Sequence, residues 1–302
     1  MSPETTTEPA AYSLLDADFL RRLERLAILA KRVQLGHIKG ERKSRRKGSS
    51  VEFADYRDYV QGDDLRHVDW NIFGRLDALY LKLFQEQEDL TVHLLIDASR
   101  SMAFGKPGKL AFAAKLAAAI GYIGLVGYDR VSVEAFSESG IFRLPAVRGK
   151  GAARELFAFL DGLGAQGRTG LEQSCRSYIL RNRSKGIAVL LSDFLDPSGF
   201  EGALRRLSQS RCDLFAVQVL SRDELDPQVT GDLKLLDSET GEFTEISVSP
   251  SLLRRYRENV GGFCDAVRAF CMARDIGYVL APSDTPFEEL ILDMLRAGGM
   301  IR

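Results

Sequence analysis

The stretch TVHLLIDASRSM, residues 91–102, decides the fold. Its apolar run, with Val92 and His93 ahead of it, reads as a strand buried on both faces, the kind found at the centre of a parallel sheet. The run stops at Asp97, and Ser99 and Ser101 follow at alternating positions. A core strand that ends in one carboxylate and two hydroxyls sets oxygen atoms at its carboxyl end. In an open α/β sheet that is where ligands bind.

Outward from this strand, apolar segments alternate with helical ones. A helix is predicted over 106–127, Ala-rich and apolar nearly all round, with Pro107 in its first turn. Strands follow at 129–137 and 140–146, then helices at 151–163 and 171–182. A second buried strand, GIAVLLSD at 186–193, also ends in an acid, Asp193. A helix at 199–210, a strand at 212–220 and a hairpin at 233–248 around a Thr-Gly turn come next. The chain closes with a long helix at 251–275, interrupted at Gly261-Gly262, a strand at 276–282 and a helix at 286–298. Short apolar strands alternating with helices predict an α/β fold, a doubly wound and mostly parallel sheet with helices on both faces. An N-terminal α+β extension precedes it. The expected division is a flexible tail over 1–13, a region of helix, basic loop and charged turn over 14–89, and the α/β domain over 90–302. The first helix, 14–35, carries an apolar stripe of Phe19, Leu23, Leu26, Ala30 and Val33.

Composition is that of a globular chain: 302 residues, 45% hydrophobic, 27% charged, net charge −1. A near-neutral chain has no global attraction for nucleic acid or anionic membrane. No apolar run reaches the roughly 20 residues that span a bilayer, and the first residues lack the pattern of a signal peptide. Cys175, Cys212, Cys264 and Cys271 form no C-x-x-C pair and no metal spacing. Cys264 and Cys271 share a helix face and are expected to pack in the core. A reduced, cytoplasmic setting is the expectation.

Asp97, Ser99 and Ser101 after one strand, Thr169 before a helix and Asp193 after another strand make an all-oxygen set. Hard divalent cations, Mg²⁺ or Mn²⁺, take such ligands. Two carboxylates balance a 2+ ion without over-neutralising it, so an outside carboxylate can replace a bound water. The plainer alternative is that these residues are helix caps and turn formers.

The arrangement D-x-S-x-S, then a Thr, then a strand-terminal Asp resembles the metal-ion-dependent adhesion site of von Willebrand factor A domains. The resemblance implies that Ser99 and Ser101 bind metal directly, and that Asp97, Thr169 and Asp193 bind directly or through water. Upstream, RKSRRKG (42–48) and EFADYRDYVQGDDLRHVDWNIFGR (52–75) resemble the signature of a bacterial family catalogued as a domain of unknown function, number fifty-eight. Together the two resemblances cover nearly everything from residue 14. They imply a partner of the MoxR-type AAA+ ATPase class, beside which members are encoded, and a role in chaperone-like assembly or cofactor insertion.

Other motifs carry less. AFGKPGKLA (103–111) lacks the first Gly and the final Ser or Thr of a phosphate loop. GDDLRHVDW (62–70) reads as a charged turn whose acids pair with Arg57, Arg66 or Arg75 and whose Trp70 anchors it on the core. A hydrolytic metal site there is the alternative. Arg42, Lys43, Arg45, Arg46 and Lys47 read as a solvated loop or a patch for an acidic partner. No nucleophile motif appears. The expected function is a non-enzymatic, Mg²⁺-dependent protein-interaction module that captures a partner's carboxylate. A metal-dependent hydrolase and a metal-free scaffold are the alternatives.

Overall fold

A computed structural model of the chain describes residues 18–27, 52–60, 63–76, 78–85, 90–236 and 243–296. The tail at 1–13, the basic run at 42–47 and the Thr-Gly turn at 240–241 lie outside the described residues. The chain forms two compact units, residues 1–34 with 90–302, and residues 35–89.

In the smaller unit, β1 (Glu52–Asp58) pairs antiparallel with β2 (Tyr80–Gln85). A 3-10 turn, Leu65–His67, and a short helix α2 (Trp70–Leu76) lie between them. The acids of the charged turn are committed to this local structure. Asp63 pairs with Arg57 at 2.7 Å and accepts from the Val60 N–H at 2.9 Å. Asp64 caps the 3-10 turn and pairs with Arg66 at 2.8 Å. Asp69, buried, accepts from the Tyr56 hydroxyl and from the Asn71 and Ile72 N–H groups, capping α2. Trp70 does not anchor the turn: it is 59% exposed and meets Phe73 edge to face. The anchor is Asp69, whose hydrogen bonds satisfy α2's first N–H groups.

The larger unit is built on one six-stranded sheet in the order β10-β7-β6-β3-β4-β5. In chain order these are β3 (Thr91–Asp97), β4 (Arg130–Ser137), β5 (Gly140–Arg148), β6 (Gly186–Ser192), β7 (Cys212–Leu220) and β10 (Gly277–Pro282). All neighbours are parallel except the β4–β5 pair at one edge. A separate antiparallel hairpin, β8 (Gly231–Leu236) and β9 (Phe243–Val248), is inserted between β7 and β10. This is the expected α/β class.

Helices cover both faces. Residues 18–27 (α1), α3 (Lys109–Val126), α4 (Ala153–Asp161) and α9 (Phe287–Arg296) pack in one core. The other face is covered by α5 (Leu171–Arg181), α6 (Glu201–Leu207) and α8 (Pro250–Met272). The two-residue period of a strand divides the side chains: Leu94 and Ile96 enter the first core, Leu95 the second. α3 is long and apolar enough to cross a membrane by composition, but 78% of it is buried, as in the core helix of a globular domain. Its close approach to α4 and to the sheet needs Gly121, where a Cβ would lie 2.7 Å from Leu156 Cδ2 on α4 and 3.3 Å from Leu94 Cδ1 on β3. The first helix, grouped by sequence with the segment after it, joins this core through Phe19. That ring lies 5.2 Å from Phe287 and 6.4 Å from Phe157 between centroids. Cys264 and Cys271 are free and buried on α8.

Two features of the helices differ from expectation beyond small shifts at their ends. α3 begins at Lys109 rather than 106, because Gly105 has φ +96° and the Lys109 N–H turns back to the Phe104 carbonyl. Pro107 therefore sits in the preceding turn. α8 runs unbroken through Gly261 and Gly262. Packing of Cys264, Val267 and Cys271 carries the helix across the pair. No atom lies within 4 Å of a Cβ at either glycine, and neither has a positive φ. The double variant Gly261→Ala/Gly262→Ala should raise stability by about 1–2 kcal/mol, from lost freedom in the unfolded chain. A urea midpoint unchanged or lowered in that variant would contradict this account of α8.

Candidate metal centre

β3 and β6 are parallel neighbours, and the strands beyond them run outward in opposite directions. The switch point of the sheet therefore lies between the carboxyl ends of these two strands, where an α/β fold leaves a crevice. Asp97 is the last residue of β3 and Asp193 follows the last residue of β6. Both carboxylates are fully buried.

The loop after β3 turns back at once. Asp97 Oδ1 accepts from the Ser99 N–H at 3.0 Å, and its Oδ2 accepts from the Ser192 hydroxyl at 2.7 Å. Ser99 Oγ lies 3.1 Å from Ser101 Oγ, and the Ser101 hydroxyl donates to Asp193 Oδ2 at 2.8 Å. The Leu195 N–H donates to Asp193 Oδ1 at 3.0 Å. Thr169 is buried in the loop before α5. That loop is tied to the first by Arg100 N–H to Gly167 O at 2.9 Å and Gln166 N–H to Ala98 O at 2.8 Å. The Leu171 N–H at the start of α5 is capped by Asp196. Four of the five expected residues are thus linked by direct contacts, and Thr169 arrives on a loop bonded to theirs.

The sequence reading missed three partners. Ser192 is the hydroxyl on Asp97. Lys109, the first residue of α3, is fully buried, and its Nζ lies 2.7 Å from Asp193 Oδ2 and 2.6 Å from Glu224 Oε1. Glu224 sits on α7 (Arg222–Leu225), held by a reciprocal capping box with Ser221. The S-x-x-E spacing of Ser221 and Glu224 was a readable helix-start signal. The Lys109 contacts have no local signal, since its partners lie 84 and 115 residues away.

Charge follows from this geometry. Burial works against the Lys109 ammonium, but Asp193 and Glu224 outweigh it and raise its pKa above the ordinary lysine value. Burial, then the nearby Asp193 charge, pushes Asp97 up to about 6, against the hydrogen bonds from Ser192 and Ser99. If Lys109 and Glu224 are counted as a neutral pair, Asp97 and Asp193 leave two negative charges.

The donor set fits a hard divalent ion. Ligands about 2.1 Å from Mg²⁺ stand roughly 3 Å apart along an octahedral edge. The 3.1 Å between Ser99 Oγ and Ser101 Oγ and the 2.8 Å between Ser101 Oγ and Asp193 Oδ2 are of that size. Two carboxylates match the charge. Among the described residues no group of three His, Cys, Asp or Glu side chains forms a metal cluster, so any metal here depends on hydroxyl ligands.

Comparison with known proteins adds the following. Uncharacterized proteins of Mycobacterium tuberculosis and Mycobacterium bovis are 27% identical over 242 residues, spanning 78% of this chain and 76% of theirs. Among solved structures, BatB from Bacteroides thetaiotaomicron superposes with a TM-score of 0.40 at 13% identity, over 69% of this chain and 99% of its own. The SpRpn10 VWA domain superposes with a TM-score of 0.38 at 10% identity, over 68% and 94%. The family model described as "Protein of unknown function DUF58" matches residues 55–261, most of the chain, and the protein belongs to that family.

Proposed function

We propose that this chain is a non-enzymatic, Mg²⁺-dependent (or Mn²⁺-dependent) protein-interaction module of the von Willebrand factor A type. Asp97, Ser99, Ser101, Thr169 and Asp193 hold the ion, and a partner's carboxylate completes its shell. The observation that carries this reading is the row Ser99 Oγ, Ser101 Oγ, Asp193 Oδ2, spaced as adjacent ligands at the switch point of the sheet. A bound Mg²⁺ supplies one Lewis-acidic position for an anionic oxygen. The chain's own residues fix the geometry: Ser192 and the Ser99 N–H orient Asp97, and the Leu195 N–H orients Asp193.

The adjoining surface suits an acidic partner. Arg100, Lys106 and Arg168 are exposed on the same loops, and Phe104 and Leu195 add exposed apolar surface. A carboxylate flanked by apolar side chains is the complementary feature. The partner class we propose is a MoxR-type AAA+ ATPase or its client, met in the cytoplasm during complex assembly or maturation.

Calorimetric titration of the full chain tests this reading. With the ATPase present wild type binds Mn²⁺ saturably, Asp97→Asn folds but does not bind, and EDTA releases the captured ATPase. Capture of the ATPase unaffected by EDTA would sink the metal-dependent mechanism. The hydrolase alternative at 62–70 has less support, because Asp63 and Asp64 already pair with arginines and Asp69 caps α2.

A further inference from the structure

The buried charge that the proposed function leaves unused is Lys109. Its ammonium is sealed from solvent, and a buried ammonium is tolerated only when paired. The pairing is specific. Asp193 Oδ2, the oxygen that accepts from Ser101 at 2.8 Å, is the same atom that Lys109 Nζ contacts at 2.7 Å. The ammonium and a divalent ion therefore address one carboxylate oxygen. The second partner is held independently: Glu224 Oε2 takes the Ser221 N–H at 2.7 Å, leaving Oε1 toward Lys109 at 2.6 Å.

We infer that Lys109 is the built-in cation of this site: it balances Asp193 when no metal is bound and keeps divalent affinity low until a partner's carboxylate adds negative charge. The inference rests on the divalent-ion reading above and deepens it. A fixed positive charge a few ångströms from a 2+ ion, among fully buried carboxylates, repels it far more than the same charge at the surface. Glu224, locked by its capping box, stays beside the ammonium whichever ligand Asp193 serves. Metal and partner then bind cooperatively, because each relieves the cost of the other.

The test is Mn²⁺ titration of the EDTA-stripped full chain, with thermal melts to establish folding. It compares wild type, Lys109→Met and Lys109→Met/Glu224→Gln. The double variant removes the ammonium together with Glu224, so Glu224 is not left as a lone carboxylate, and the melts establish that the fold holds with Asp193 unpaired. It also keeps the local formal charge of wild type, so a gain reports on the ammonium itself. The expected result is Mn²⁺ binding at least about tenfold tighter in the double variant than in wild type. Binding by the variant alone also supports the inference, with wild type closed to metal until its partner arrives. Equal or weaker binding by the folded variant, with wild type still saturable, overturns the inference and leaves the metal reading standing. Binding by neither protein overturns both.

Discussion

Asp193→Ala should cost about 3–5 kcal/mol of stability in EDTA, with no metal in play, while Asp97→Asn costs less than about 1 kcal/mol. The two carboxylates occupy equivalent strand ends and are both fully buried. Their surroundings differ. Asp193 faces the Lys109 ammonium at 2.7 Å, and removing it leaves that charge with half of its compensation. Breaking a buried pair from one side is among the few mechanisms that reach several kcal/mol. Among the described residues no cation pairs with Asp97. It accepts two neutral hydrogen bonds and bears the cost of burial beside another carboxylate, which holds its pKa near 6. An amide of the same shape keeps the Ser99 N–H bond, can donate to Ser192 and removes the repulsion. Both variants should lose Mn²⁺ binding. Urea denaturation in EDTA at pH 7.5 checks the asymmetry. Equal stability losses in the two variants would mean that the Lys109 pair does not support the fold as described.

The same contrast shows what could be read from the chain. Strands β3 and β7 have the bounds expected from their apolar runs, because buried parallel strands are bounded by polar residues. The meeting of Asp97, Ser99, Ser101 and Asp193 was legible because a parallel sheet brings its strand ends to one edge, a rule that needs only element order. Thr169 was legible as a residue preceding a helix, although its loop's bonds to Ala98 and Arg100 are tertiary facts. Lys109 was not legible. As the residue after a Gly at a helix start, it looks like an ordinary solvated lysine, and only the fold brings it to two carboxylates. Trp70 misled in the other direction. A lone Trp in a charged turn suggests an anchor, yet the turn is held by hydrogen bonds to Asp69 and Trp70 is exposed. Gly261-Gly262 misled because intrinsic propensity is weak against a helix face packed on a core.

His93 should make this protein lose stability between pH 6.5 and pH 4, by about 3 kcal/mol beyond the change seen in His93→Gln. The ring lies near the amino end of β3, 3% exposed, away from the strand end that carries Asp97. Its nitrogens meet Ser132 Oγ at 2.8 Å and Ser184 Oγ at 2.9 Å, and the ring makes a T-shaped contact with Tyr178. Hydroxyls serve a neutral imidazole as well as a charged one, so burial decides. It lowers the pKa from 6.5 to about 4, and the Glu134 carboxylate opposes it only weakly. Glu134 itself is occupied by Arg181 at 2.7 Å and Asn182 at 3.1 Å. Because the folded pKa is the lower one, the unfolded chain takes up the proton first as pH falls. The stabilisation is complete above pH 6.5, declines through the window and is gone below pH 4. Asp97 works in the opposite sense, since a pKa raised to about 6 favours the folded state on protonation. Subtracting the His93→Gln curve from that of wild type cancels the Asp97 contribution, provided the two sites do not interact. Urea unfolding of both proteins at pH 7.5, 6, 5 and 4 measures the difference. A difference independent of pH would show that His93 is not held neutral in the core. A difference that grows in favour of wild type as pH falls would place a charged imidazole there, paired with Glu134.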